Sequence, residues 1–161
     1  MSELARAARL ARELRVLKVD RLLVSAPVNV RYLSGYTGSN GLIVIDASER
    51  ADHRFFTDFR YATQSAEQVP EGFRREIAPA ELLEAAARAL GDGGVEGQRM
   101  LGFDDASLSV KQHARLRELL ADGWKLAPCA GMVERLREVK DEGEAARVRA
   151  AAELADEALT G

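Results

Sequence analysis

The sequence predicts an α/β domain in which a mixed sheet of about five or six strands is flanked by helices. Short apolar runs of strand length, at 20–25, 42–45, 53–57, 73–77, 100–103 and 124–127, alternate with stretches whose apolar residues recur at the helical period. The runs at 42–45 and 53–57 stand so close that an antiparallel hairpin is their simplest connection, which makes the sheet mixed. With 161 residues, 47% of them hydrophobic, the chain is long enough to bury a core of its own.

Each element has a local reason. From Glu3 to Lys18, Leu10, Leu14 and Leu17 fall at i, i+4 and i+7 with Ala7 and Ala11 beside them, which predicts an amphipathic helix with its arginines on the other faces. Asp20–Ser25 suits a buried strand stopped by Pro27, and Asn29–Leu33 reads as one helical turn. After the strand at 42–45, the polar stretch 47–52 is a turn before His53–Thr57. Asp58 caps a helix from Phe59 to about Gln68, ended by Pro70 and Gly72. Phe73–Ile77 alternates like an outer strand. Pro79 opens a helix carrying Leu82, Leu83, Ala86, Ala87 and Leu90, with Gly91, Gly93 and Gly94 as its stop. Met100–Phe103 is a strand, Ser109 starts a helix with Leu116, Leu119 and Leu120 that Gly123 closes, and Trp124–Ala127 is the last strand. From Gly131 onward the chain reads as helical. Asp141 and Glu144 form a variant capping box there, and Val148, Ala152, Ala155 and Leu159 make an apolar stripe with no partner in the sequence.

Charge and composition exclude several functions. Lysine and arginine number 23 against 26 acidic residues, interspersed, for a net charge of -3, so no nucleic-acid partner is expected. No apolar run approaches the roughly 18 residues of a membrane span. The single cysteine, Cys129, has no internal disulfide partner and reads as a small buried hydrophobe. The N-terminus lacks the apolar core of a secretory signal, and a cytoplasmic location is the expectation.

The stretch Asn29–Asp46 concentrates the polar chemistry. Gly35, Gly38 and Gly41 recur every third residue around Tyr36, Thr37, Ser39 and Asn40, and a buried strand follows. That spacing fits first a tight connection between two elements, and second a loop shaped to touch a ligand. A phosphate loop is excluded, because the glycines match no nucleotide motif and a strand, not a helix N-terminus, comes after them. His53 and His113 lack further ligands at metal spacing and read as solvated or packed; Asp104-Asp105 reads as a cap or a solvated pair. Ser39 is not set in G-x-S-x-G and has no nearby histidine. In the cluster Thr57-Asp58-Phe59-Arg60-Tyr61, the Asp and Arg pair with each other or fix a loop, or the arginine binds a carboxylate.

Three segments in this order carry a resemblance. N-V-R-Y-L-S-G-Y-T-G-S-N-G before an apolar strand, then F-F-T-D-F-R-Y, then V-E-R-L-R-E-V-K-D-E-G-E-A-A-R-V-R-A-A-A-E-L-A-D-E-A, together resemble the N-terminal domain of Xaa-Pro aminopeptidases and prolidases, shared with creatinase. The resemblance implies a creatinase/prolidase-type α/β domain with a ribonuclease H-like motif over 1–138. Residues 139–161 would be the linker and first helix of a pita-bread catalytic domain, the chain being truncated just past the boundary. In that family two divalent metals, manganese or cobalt, are bound by carboxylates and a histidine of the catalytic domain, so no catalytic residue, metal ligand or cofactor is expected in this chain.

The implied function is that of a non-catalytic domain of an enzyme that cleaves the bond before proline. It contributes dimer contacts and one wall of the active-site entrance, and it is expected to be inactive alone. The resemblance implies a substrate-gating or interface role for Tyr36, Thr37, Ser39 and Asn40, with Asp58, Arg60 and Tyr61 beside them. The implied partners are the catalytic domain of the same or a neighbouring subunit, a second copy of the chain, and short proline-containing peptides. Two other readings stand beside it: a stand-alone module that holds a small ligand or a protein through residues 36–40 and Arg60, and a hydrolase using Ser39.

Overall fold

The structure is a computed structural model that describes residues 1–91 and 97–160. Helices and strands follow one another as α1 (Glu3–Val16), β1 (Arg21–Val24), α2 (Pro27–Ser34), β2 (Leu42–Asp46), β3 (Arg54–Asp58), α3 (Ala62–Gln68), β4 (Arg74–Ala78), α4 (Leu82–Gly91), β5 (Arg99–Phe103), α5 (Val110–Leu119), β6 (Trp124–Pro128), α6 (Met132–Glu138) and α7 (Glu142–Thr160). Among the described residues the six strands form one mixed sheet in the order β4-β3-β2-β1-β5-β6. Only β2 runs against the others: it pairs antiparallel with β1 and β3, while β1–β5, β3–β4 and β5–β6 are parallel.

Period-two alternation gives each central strand two buried faces. Leu22, Val24, Ile43, Ile45 and Phe55 join a cluster with α1, α2 and α6. Leu23, Leu42, Val44, Phe56 and Leu101 join a second cluster with α4 and α5 on the opposite face. The result is three layers. Leu10 and Leu14 of the α1 stripe are fully buried, and burial of each such leucine contributes about 1.5–3 kcal/mol.

Several boundaries differ from the sequence expectation for local reasons. The first helix ends at Val16, and Lys18 turns away with a φ of 56°. Pro27 stops β1 but also occupies the first turn of α2, so the single helical turn expected at 29–33 is a full helix that Gly35 closes in the left-handed region at φ 74°. After Asp58 the chain makes a 3-10 turn, Phe59–Tyr61, before α3 begins. The helix after Pro79 starts only at Leu82, and its proposed stop at Gly93 and Gly94 lies outside the described residues. The helical stretch after Gly131 is broken between Glu138 and Glu142. Ser109 caps α5 with a capping box through Gln112.

His53 is packed: its ring is buried and Nδ1 accepts the Asp46 N–H at 3.1 Å. Cys129 is only half-buried. Arg6 departs furthest from its reading as a surface arginine. It is buried, stacks 4.3 Å from the Tyr32 ring centroid, donates to the Tyr32 carbonyl at 3.0 Å, and pairs with Asp141 and Glu144 at 3.2 Å each. The start of α7 is thus tied to α1, and Asp141 and Glu144 exchange the two hydrogen bonds of a capping box at 2.9 and 3.0 Å. Beyond that turn α7 buries nothing, and Val148, Leu154 and Leu159 are exposed.

Candidate functional site

The loop between α2 and β2 is built over Tyr36. Its ring is 1% exposed and sits edge-on to Phe55 at 4.8 Å between centroids. A Cβ on Gly38 would come within 2.1 Å of the Tyr36 hydroxyl, and one on Gly41 within 2.9 Å of the ring. These two glycines are therefore required by close approach of the backbone to a buried ring. The Tyr36 hydroxyl lies 3.2 Å from both the Asn40 carbonyl and Thr57 Oγ1, and Thr57 Oγ1 donates to the same carbonyl at 2.6 Å. Burial pushes the Tyr36 phenol pKa up, so the hydroxyl stays protonated and able to donate.

On the rim, Asn40 Nδ2 donates to Asp58 Oδ2 at 2.5 Å, and Arg60 grips both Asp58 oxygens at 2.9 Å. The Arg60 guanidinium first, and the Asn40 amide next, hold the Asp58 carboxyl well below the usual carboxylate range. Ser39 Oγ and the Tyr61 hydroxyl share a hydrogen bond of 2.6 Å at the surface. Thr37 faces α3, where its N–H donates to Gln68 Oε1 at 2.9 Å and its hydroxyl accepts from Gln64 at 3.0 Å.

The structure thus brings all seven residues singled out in the sequence together where the loop meets β3 and α3, in three hydrogen-bonded groups: Tyr36, Asn40, Asp58 and Arg60 with Thr57; Ser39 with Tyr61; and Thr37 with Gln64 and Gln68. Tyr36 is the buried post, Asp58 is buried beside it, and the others are partly buried or exposed. Thr57 completes the first group, yet in the sequence it is only a β-branched residue within a strand. Gln64 and Gln68 stand at i, i+4 on α3, a spacing that points them to one face without revealing that Thr37 meets them.

Beside this network lies a cleft of about 380 Å³ lined by Pro27, Ser39, Asn40, Glu81, Leu108 and Gln112, among others. It opens at the carboxyl ends of β1 and β5, between the starts of α2, α4 and α5. Ligands gather at this edge in open α/β sheets. The cleft offers hydroxyls, amides and helix N-termini. Among the described residues it offers no activated nucleophile: Ser39 is bonded to the Tyr61 hydroxyl, His53 is at the other edge of the sheet, and His113 packs on Phe103. Among the described residues no group of three or more His, Cys, Asp or Glu side chains is placed to hold a metal ion.

The family model described as the Creatinase/Prolidase N-terminal domain matches residues 6–139. The chain belongs to that family. It is 35% identical over 143 residues to an uncharacterized peptidase, YqhT, of Bacillus subtilis, covering 89% of this chain and 38% of the relative. The crystal structure of the N-terminal domain of the cytoplasmic peptidase PepQ from Mycobacterium tuberculosis is 35% identical, with a TM-score of 0.74, covering 82% of this chain and 98% of that one. An Xaa-Pro dipeptidase from Bacillus anthracis shares the fold at a TM-score of 0.87 and 24% identity, covering 99% of this chain and 42% of the enzyme. This creatinase/prolidase N-terminal domain therefore spans well under half the length of these two peptidases and nearly the whole of the isolated PepQ domain. Among the described residues no helix is long and apolar enough to cross a membrane.

Proposed function

We propose that this domain is the non-catalytic N-terminal part of a cytoplasmic, dimeric, metal-dependent Xaa-Pro peptidase, in which the network from Tyr36 to Tyr61 forms a wall of the active-site entrance. The observation that carries this reading is the hydrogen-bonded rim, its one carboxylate paired with Arg60, at the ligand-binding edge of a creatinase/prolidase N-terminal domain. A gate needs fixed shape and hydrogen-bonding groups that do not compete with the catalytic ions. The buried ring of Tyr36 and the Asp58–Arg60 pair supply the first, and Ser39, Asn40 and Tyr61 the second.

Residues 1–138 form the domain, and 139–161 the linker and first helix of a catalytic domain. The exposed Val148, Leu154 and Leu159 of α7 are the side chains such a domain would cover. Two divalent ions, manganese or cobalt, belong to that catalytic domain. The bond it would cut is difficult for ordinary peptidases because the proline nitrogen carries no hydrogen and the ring fixes the backbone.

Incubating the 161-residue chain with Ala-Pro and manganese is expected to give no hydrolysis, and calorimetry with the same dipeptide no saturable heat. Turnover would overturn the non-catalytic assignment. Saturable binding without turnover would favour a stand-alone peptide-binding module.

A further inference from the structure

The edge of the sheet opposite the Tyr36–Asn40 loop has a different chemistry. There the first residues of β1, β3 and β5 and the loop after β2 place Arg21, Arg54, Arg99 and Arg50 around one cleft of about 390 Å³. The acids lining it are Asp46 and Asp52. Among the described residues the four arginines face these two aspartates and Glu76, which pairs with Arg54 from beside the cleft, so the arginines outnumber the nearby acids by one in a chain whose net charge is -3.

Both aspartates are already engaged. Asp46 is buried, accepts from the Ser48 N–H and hydroxyl at 2.7 Å and the Asp52 N–H at 3.1 Å, and lies against the Arg21 guanidinium. Asp52 pairs with Arg54 at 3.1 Å, and Arg54 also reaches Glu76 at 3.1 Å. Among the described residues neither Arg50 nor Arg99 has an ion-pair partner. Arg99 instead lies 4.3 Å from the centroid of the Trp124 ring. Arg21 is partly stripped of water, which lowers its pKa, and the fields of Arg54 and Arg99 add to that effect. The facing wall is apolar, with Ala89 and the edge of Leu90 of α4 at its surface and the buried Phe56 and Ala86 behind them.

We propose that this cleft binds a small organic phosphate, its phosphoryl oxygens among Arg21, Arg50, Arg54 and Arg99 and its apolar body against Ala89 and Leu90 of α4. Guanidinium groups match phosphate oxygens in paired hydrogen bonds. A phosphate monoester carries close to two negative charges near neutral pH and presents three acceptor oxygens, enough to meet both Arg50 and Arg99, whereas a monocarboxylate supplies one charge and two oxygens. The apolar wall explains why an ester should bind better than the bare ion.

Trp124 is the only tryptophan in the chain and touches Arg99, so its fluorescence reports on the cleft. The 161-residue chain is titrated with phenyl phosphate, inorganic phosphate, benzoate, and sodium chloride at matched ionic strength, by fluorescence and calorimetry. Phenyl phosphate should saturate, bind about tenfold tighter than inorganic phosphate, and bind tighter than benzoate, with no saturation by chloride. Arg50→Gln and Arg99→Gln, which leave the Asp46 and Asp52 contacts in place, should each weaken phenyl phosphate about tenfold with unchanged thermal melts. Absence of saturable binding, or unchanged affinity in both variants, overturns the proposal. Benzoate binding as tightly as phenyl phosphate overturns the choice of phosphate, and inorganic phosphate binding as tightly overturns the role of the apolar wall.

Discussion

Replacing Gly38 by alanine tests whether the candidate site takes its shape from a buried ring. The added Cβ would lie 2.1 Å from the Tyr36 hydroxyl oxygen and 2.3 Å from Cζ, far inside van der Waals contact. Gly38 does not occupy the left-handed region, so the penalty is steric and not conformational. Either the loop lifts or the ring moves. The ring is hemmed in by Phe55 at 4.8 Å and Tyr61 at 6.0 Å, and moving it breaks the hydroxyl contacts to Asn40 and Thr57. Overpacking costs about 1–3 kcal/mol and each of the two lost hydrogen bonds about 1 kcal/mol, so Gly38→Ala should destabilise the chain by about 3–5 kcal/mol. Urea unfolding measures this as a lower midpoint at constant slope. Gly91→Ala, where the new methyl meets nothing within 4 Å, serves as the neutral control. A Gly38→Ala chain as stable as the control would refute the account of the loop.

Two further predictions concern charge and protonation. His53 is buried, its pKa is lowered chiefly by desolvation, and its Nδ1 must be unprotonated to accept the Asp46 N–H. In the unfolded chain the ring takes a proton near its ordinary value of about 6.5. As pH falls through that value the unfolded state gains a proton that the folded state refuses, so stability drops until the lower folded-state pKa is reached. His53→Gln should flatten the fall of Tm between about pH 7 and pH 5, and an unchanged slope would contradict the assignment. Arg6→Ala leaves Asp141 and Glu144 without their buried guanidinium and should cost about 2–4 kcal/mol. Amide exchange in the first turn of α7 should then accelerate more than in α5, whereas uniform acceleration would argue against a specific anchor.

Much of the fold was legible because single elements carry their own period. The stripe of Leu10 and Leu14, the helix start at Ser109, the capping box at Asp141 and Glu144, and the hairpin of β2 and β3 all rest on local sequence. The parallel pairing of β1 with β5 did not announce itself, because about eighty residues separate the partners and register across such a gap is decided by packing. The loop chemistry divides in the same way. Tyr36 to Asn40 stood out by composition, but Tyr36 proves to be the buried post rather than a contact group. Arg6 shows the limit most clearly. On its own helix it is one of several arginines, and only carboxylates some 135 residues away make it a buried one.

The central claim is that the Ser39–Tyr61 rim faces a peptide held by a second domain. It is tested most directly in this chain joined to a catalytic domain of its family, in a fusion that hydrolyses Ala-Pro. A Ser39→Trp substitution places bulk at an exposed rim position without disturbing the Tyr36 post. The account predicts a KM for Ala-Pro raised about tenfold with little change in kcat, the sign of lost access rather than lost chemistry. Unchanged KM and kcat in a folded Ser39→Trp fusion would contradict it.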